Sequence, residues 1–310
     1  ASSSDLSPDA LRELVARAVA MARAAPEDPF CGLAERAELA RDHPELDLAD
    51  ADDPSIENLK ARAAAAEDAA RAVAGVTNSE GAQASFSRAT VALAASNGFV
   101  GTRTETHHGV AASVLAGTGM AMERDYDYAS AVHAADLALP EAIGRSAGER
   151  AVRRLNARKM QTAKVPVVFE PRVAGSLLRH LASAVNGQSV ARGTTFLKDK
   201  MGARVFPEAV TIVDDPLRRR GLNSHSFDGE GLPARALKLV DRGVLASWVL
   251  DLRSARQLKL QSTGHAARGV SAPPAPATSN LYLEPGHVSP EALLAGIKEG
   301  FYVTELIGMG

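Results

Sequence analysis

Apolar residues recur every three or four positions near the start of the chain, a spacing typical of an amphipathic helix. Ser7 can cap this helix, with Pro8 at its first position. An alanine-rich stretch after Asp53 and Pro54 predicts a second helix that ends near Gly75. The residues between the two helices are rich in proline and acids, which predicts an extended connection along the solvated surface.

Residues 76–134 change to short runs rich in Val, Thr, Phe and Ser that are separated by glycines, which predicts an antiparallel sheet. Asn97 and Gly98 stand between two such runs and predict a hairpin turn. In the following run, His107 and His108 point to opposite faces of a strand, so they cannot grip one metal ion together. We expect both histidines to be exposed.

The rest of the chain repeats this mixture of patterns. The predicted elements are a helix at 142–157, a buried strand at 165–169, a helix at 177–187, a strand at 210–213, a hairpin at 236–250, and helices at 253–258 and 290–299. The pattern therefore predicts an α+β fold with two domains, residues 1–160 and 161–310. Each is expected to have a mixed or antiparallel sheet and packed helices.

Composition narrows the class of protein. Thirty-five basic and 37 acidic residues leave a net charge of −2, which gives no positive field for a nucleic-acid backbone. The single Cys31 can form no internal disulfide, so we expect a reducing, cytoplasmic setting. No apolar run is long enough to predict a membrane span.

Because the chain starts at Ala1 without a signal and stops soon after a strand-like run at 301–304, we expect a fragment that lacks residues at both ends.

The helix at 177–187 looks like a metal-binding helix without its ligands. Zinc on a helix needs two ligating side chains about one turn apart and a nearby glutamate to activate water. Arg179 and His180 are adjacent, so about 100° separates their directions, and Ala184 offers no donor atom. We expect no metal at this helix. The residues expected to pack into the core instead are Leu177, Leu178, Leu181, Ala184 and Val185.

Two predicted loops contain candidate site residues. Asp228 and Glu230 lie on a glycine-flanked turn, where they could bind a cation, serve as an acid and base pair, or remain solvated. The second loop brings hydroxyls, a flexible backbone and an imidazole together at Ser262, Thr263, Gly264 and His265. A serine and a histidine this close in sequence form no triad without a third orienting group. We interpret this loop as a contact for a neighbouring chain or peptide.

Six segments stand in a fixed order along essentially the whole chain: residues 122–126, 158–159, 195–197, 227–231, 254–256 and 262–266. Each is weak alone, but their order and spacing together resemble the TldD/PmbA family, also described as modulators of DNA gyrase. The chain is most similar to the PmbA (TldE) branch of that family.

The resemblance implies a two-subunit peptidase. Its TldD-type subunit carries His-Glu-x-x-x-His on the helix that corresponds to 177–187, with a further ligand near its C-terminus. Arg179, His180 and Ala184 occupy the corresponding positions here, as the PmbA branch leads one to expect. The resemblance therefore implies no cofactor on this chain, zinc in a TldD-type partner, and unfolded peptide as substrate, with an added strand as one way to bind it.

Alternatives stay open at this point. The chain could pair with itself as a homodimer, or act as a non-proteolytic binding or regulatory module for gyrase-linked or toxin–antitoxin partners. It could also be an independent hydrolase that uses Asp228, Glu230 and His265, which requires those groups to lie within about 10 Å of one another. Direct nucleic-acid and membrane partners are not expected.

Overall fold

The computed structural model describes residues 1–306. Two helices open the chain, as the apolar spacing predicts: α1 (Pro8–Ala24) and α2 (Ile56–Arg71). The Ser7 hydroxyl caps α1 by accepting a hydrogen bond from the backbone of Ala10, and Ser55 caps α2 in the same way. Because Ser55 is the cap, α2 begins at Ile56. It ends at Arg71, before the predicted end near Gly75.

A long antiparallel sheet follows. Its strands β1 (Val76–Ala94), β2 (Val100–Ala116) and β3 (Glu123–Ala131) lie in the order β1-β2-β3. The predicted turn at Asn97 and Gly98 joins β1 to β2, where Gly98 has a positive φ of 98°. Two of the glycines expected to separate strands, Gly81 and Gly109, lie within β1 and β2 instead, because the antiparallel ladder accepts Gly81 next to a register shift and Gly109 opposite Ser85. Gly117 and Gly119 lie between β2 and β3, as predicted.

α3 (Pro140–Arg153) packs beside α2 on one face of this sheet, which forms the first hydrophobic core. Residues 157–166 then contain neither helix nor strand. This stretch includes residue 160, and the two-domain boundary there stays a prediction.

The second half is built around another core. Its elements are β4 (Val167–Phe169), α4 (Pro171–Ala184), α5 (Gly187–Ala191), β5 (Ile212–Asp214), β6 (Leu237–Asp241), β7 (Val244–Leu245), α6 (Leu252–Leu258), β8 (Ala266–Ala267), β9 (Ala275–Pro276), β10 (Leu281–Leu283), α7 (Pro290–Ala295) and β11 (Phe301–Val303). A four-stranded sheet runs β10-β5-β6-β7, β8 pairs with β9, and β11 pairs with β4 in parallel. Together with the helix-covered first sheet, these elements confirm the predicted α+β class.

Two predictions about the exposure of strand residues are wrong. His108 is 1% exposed, because the connection before α2 folds back and brings the Asp50 carboxylate to 3.2 Å from its Nε2 atom. The acids of that connection are therefore partly engaged by the fold. The strand β4 was expected to be buried, but Val167 is 48% exposed because β4 has only β11 beside it.

Candidate functional site

The helix without metal ligands is α4, which begins six residues earlier than predicted, at Pro171. Arg179 and His180 lie on its exposed side, and Ala184 is buried in the second core. Leu178, Leu181 and Val185 also pack there. Leu177 is 48% exposed, so its predicted place in the core is wrong: it lies two turns before Ala184, at the margin of the packed region.

The side chains on α4 do not fit zinc. A guanidinium is protonated and offers no lone pair, an alanine has no donor atom, and a single exposed imidazole makes an incomplete site. Across residues 1–306 no cluster of three or more His, Cys, Asp or Glu side chains is arranged to hold a metal ion. Within the same residues, no helix is both long and apolar enough to cross a bilayer.

A cleft of about 430 Å³ lies between the β1–β2 hairpin and loops of the second half. The hairpin contributes the face of β2 that carries Arg103, Glu105 and His107. The opposing loops include Asp228 and His265, two of the predicted site residues. A smaller cavity of about 230 Å³ is lined by two others, Ser262 and Gly264.

Asp228 organises its own loop. It is 1% exposed, and its two carboxylate oxygens accept hydrogen bonds from the backbone N–H groups of Glu230, Leu232 and Ala266 at 2.9, 3.0 and 3.1 Å. Burial raises the pKa of Asp228, although these N–H groups oppose the shift. Because both oxygens are occupied, Asp228 is poorly placed to move a proton or bind a cation.

Glu230 points away from Asp228, toward the start of α6. Its Oε2 atom accepts a hydrogen bond of 2.8 Å from the backbone N–H of Leu252. Burial, followed by repulsion from Asp228 and Asp251, raises the pKa of Glu230 to about 7. The structure thus brings Asp228 beside His265, because Ala266 donates to it, but directs the Glu230 carboxylate elsewhere. This arrangement does not support an independent hydrolase built on the three groups.

The loop of residues 262–265 is fixed to the second core. The hydroxyls of Ser262 and Thr263 donate to the carbonyl oxygen of Leu250 at 3.2 and 3.1 Å. Gly264 has a φ of 73°, and a Cβ there would lie 2.5 Å from the carbonyl oxygen of Pro233, so only glycine fits. Ser262 therefore contacts backbone and not the histidine, which removes a serine–histidine dyad.

His265 ends this loop in a fully buried pair. Its Nδ1 atom is 2.8 Å from the Thr263 carbonyl oxygen, and its Nε2 atom is 3.2 Å from Oδ2 of Asp214. The same Asp214 oxygen accepts a hydrogen bond of 3.0 Å from the Ser279 hydroxyl. The Asp214 carboxylate thus lies between Ser279 and His265, so the serine hydroxyl bonds to the carboxylate and not to the imidazole that would activate it in a Ser-His-Asp triad.

Sequence reasoning missed several residues of this cleft. Arg103 was recoverable, since it alternates with Glu105 and His107 along one predicted strand. His225 and Arg268 gave no signal, because they reach the cleft from separate loops. The Nδ1 atom of His225 is 3.0 Å from the Asn223 carbonyl oxygen, and burial lowers the pKa of its imidazole.

Comparison with known sequences places the two halves of the chain in two family domains. Residues 49–155 match the PmbA/TldA metallopeptidase central domain, and residues 162–310 match the C-terminal domain of the same family. The chain is 37% identical to Metalloprotease PmbA of Escherichia coli O157:H7, over 100% of this chain and 67% of that protein. It is 32% identical to a Metalloprotease PmbA homolog of Haemophilus influenzae, with the same two coverages.

Solved structures share the fold. A proposed modulator of DNA gyrase from Bacteroides thetaiotaomicron superposes with a TM-score of 0.90 at 25% identity, over 99% of this chain and 69% of that chain. TldE from Thermococcus kodakarensis superposes with a TM-score of 0.84 at 23% identity, over 99% and 70% of the two chains, and at that identity the likeness concerns the fold alone.

Proposed function

Because the chain belongs to the PmbA/TldD metallopeptidase family, we propose that it is the PmbA/TldE-type subunit of a cytoplasmic zinc metallopeptidase. In this proposal the chain itself is non-catalytic. A TldD-type partner holds the zinc and cleaves unfolded peptides, and this chain helps to enclose the peptide. The single observation that carries the proposal is that α4 offers no pair of metal-ligating side chains. The family resemblance implies that its Arg179, His180 and Ala184 stand where a TldD-type subunit carries the metal motif.

The side chains of α4 support this role physically. Bound zinc would polarise a peptide carbonyl and activate a water molecule, but neither Arg179 nor Ala184 can ligate it. Leu181, Ala184 and Val185 instead pack into the second core. In this proposal, α4 keeps the shape of the family fold and leaves the chemistry to the partner.

The cleft supports a contribution to peptide binding. In the described part of the chain, β1 pairs with β2 on one side only, and consecutive β1 residues Val91, Ala92 and Leu93 line the cleft. Neighbouring residues of a strand point to opposite faces, so contact by three in a row brings the free strand edge to the cleft. Such an edge can pair with an extended peptide through main-chain hydrogen bonds.

The proposal is tested by zinc analysis and peptide cleavage, with this chain alone, with a TldD-type partner, and with a partner that lacks one metal-ligating histidine. We expect no stoichiometric zinc in this chain alone. Zinc and cleavage should appear together in the complex, and both should disappear with the altered partner. One zinc per chain, with cleavage by this chain alone, would contradict the proposal.

Treatment with a chelator distinguishes the proposed peptidase assembly from the non-proteolytic regulatory module. If the complex binds unfolded peptide in the presence of chelator but never cleaves it when zinc is restored, the chain acts as a binding module without proteolysis. Cleavage that returns with zinc supports the peptidase assembly.

A further inference from the structure

Two arginine side chains reach the cleft from different elements. Arg103 lies on β2, and its side chain is 31% exposed. Its Nε atom is buried without a hydrogen bond, since the nearest carboxylate oxygen, Oε2 of Glu105, is 3.5 Å away. Arg268 is exposed on the loop between β8 and β9 and lines the same cleft. Because that Nε atom is buried, a ligand can reach only the terminal guanidinium nitrogens of Arg103 and those of the exposed Arg268, which make no hydrogen bond within residues 1–306.

The neighbouring groups limit the charge that the cleft can accept. Glu105 faces it from β2, and Asp228 lines it with both oxygens bonded to backbone N–H groups. Asp214 lies behind Ser279, whose backbone N–H and hydroxyl both donate to it. Burial lowers the pKa of His225, so its imidazole adds no positive charge near pH 7. Two guanidiniums beside these acids suit a singly charged carboxylate better than a doubly charged phosphate.

The pairing of β1 with β2 places Arg103 close to the free edge of β1. Val91 on β1 pairs directly with Arg103 on β2, so the guanidinium lies one strand away from the edge that lines the cleft. Adjacent strands are about 4.8 Å apart. A chain extended along the β1 edge would thus pass within reach of a long arginine side chain.

We propose that the cleft binds a carboxylate of an extended peptide, held by Arg103 and Arg268 while the peptide backbone lies along the β1 edge at Val91. This inference rests on the proposed function, because unfolded peptide is the substrate class of that assembly. The carboxylate comes either from the C-terminus of the peptide or from an acidic side chain, and both sources present the same planar oxygens to a guanidinium.

The test measures binding of three unstructured decapeptides by fluorescence anisotropy, each labelled with a neutral dye, to the full chain and to its complex with the partner. The first has a free C-terminal carboxylate and no acidic side chain, the second has a C-terminal amide, and the third is the amide with one central glutamate. We expect at least one carboxylate peptide to bind about ten-fold more tightly than the neutral peptide, the effect of one charge-assisted hydrogen bond.

The variants Arg103→Gln and Arg268→Gln should each remove most of that difference and leave the neutral peptide unchanged. Arg268 is exposed, so its variant tests the cleft without risk to folding. Arg145→Gln is the matched control, because Arg145 is an exposed arginine on α3 that does not line the cleft.

A preference for the free C-terminus assigns the site to terminal carboxylates, and a preference for the glutamate peptide assigns it to acidic side chains. Equal binding of all three peptides overturns the inference, as does an equal loss in the Arg145→Gln variant. Cleavage in the presence of the partner is scored separately, so failure of the carboxylate site and failure of the proposed function remain distinguishable.

Discussion

At the scale of single residues, burial decides what the candidate acids can do. Asp228 and Glu230 are two positions apart in a glycine-flanked turn, and burial is the largest cause of the raised pKa of both. Asp228 uses its oxygens to hold three backbone N–H groups, whereas Glu230 holds the first residue of α6. Asp228 and Glu230, which suggested acid–base chemistry in the sequence, therefore stabilise loops through hydrogen bonds to backbone N–H groups.

Glu230 should make stability depend on pH. Below about pH 4.5 the carboxyl is protonated in both folded and unfolded chains, so it adds no penalty. From there to about pH 7 the folded chain keeps a proton that the unfolded chain has lost, so stability falls as pH rises. The Glu230→Gln variant removes this penalty and should be more stable than the parent by up to about 3 kcal/mol at pH 8.

Urea unfolding at pH 5 and pH 8 checks this prediction. The gain for Glu230→Gln should be largest at pH 8 and small at pH 5. Glu208→Gln, an exposed glutamate, should show no such trend and serves as the control. A gain that is equal at both pH values would mean that the carboxyl titrates normally in the folded chain.

At the scale of elements, small residues set how closely two helices approach. Gly144 and Gly148 lie one turn apart on α3, facing α2. A Cβ at Gly144 would lie 1.9 Å from the backbone oxygen of Ala66, and one at Gly148 would lie 2.6 Å from a methyl group of Val73. The buried alanines of α2 and these glycines therefore permit backbone contact that larger side chains would block.

Alanine substitutions on two helices should change the stability of the protein in opposite directions. Gly144→Ala should destabilise the protein by about 1–3 kcal/mol, because the backbone of α2 cannot yield to the new methyl group. Gly175→Ala on α4 should stabilise it by up to about 1 kcal/mol, since the nearest atom is the end of Arg179 at 3.9 Å and alanine favours helix.

The measurement is the free energy of unfolding in urea for both variants and the parent. The Gly175 variant controls for helix propensity, which acts in the same direction at both sites. Stabilisation by both substitutions would show that α2 and α3 are farther apart than the structure places them.

At the scale of the whole molecule, charged side chains join the two halves. Arg172 of α4 donates to the buried Asp125 of β3 at 2.9 Å, and Arg154 reaches the same carboxylate at 3.3 Å. Arg150 of α3 pairs with Glu170 just before α4. Burial alone would raise the pKa of Asp125, but hydrogen bonds from Arg172 and the backbone outweigh it and hold that pKa below its usual range.

Removing one of these charged side chains should weaken the contact between the two halves. Arg172→Gln leaves a buried carboxylate short of its closest cation and should cost about 3 kcal/mol. Arg124 lies next to Asp125 on β3, in a solvent-exposed pair with Glu80 and 5.9 Å from the centre of the Tyr126 ring. Arg124→Gln removes these exposed contacts and should cost less than about 1 kcal/mol.

Urea unfolding followed by Trp248 fluorescence and by circular dichroism checks this expectation, because Trp248 reports only on the second core. In the Arg172 variant, the two probes should give separate transitions. Coincident transitions, with a loss no larger than that of the Arg124 variant, would show that the junction does not couple the halves.

Most of the helices, the hairpin and the α+β class could be predicted from the sequence, because apolar spacing, capping residues and turn residues act over a few neighbours. The family could be predicted from the order of six short segments along the chain. Which polar groups are buried follows from the packing of the whole fold. Asp50 covers His108 from 58 residues away, and Arg103 and Arg268 line one cleft from two separate parts of the fold. Such contacts depend on how separate elements pack, and spacing along the chain does not encode them.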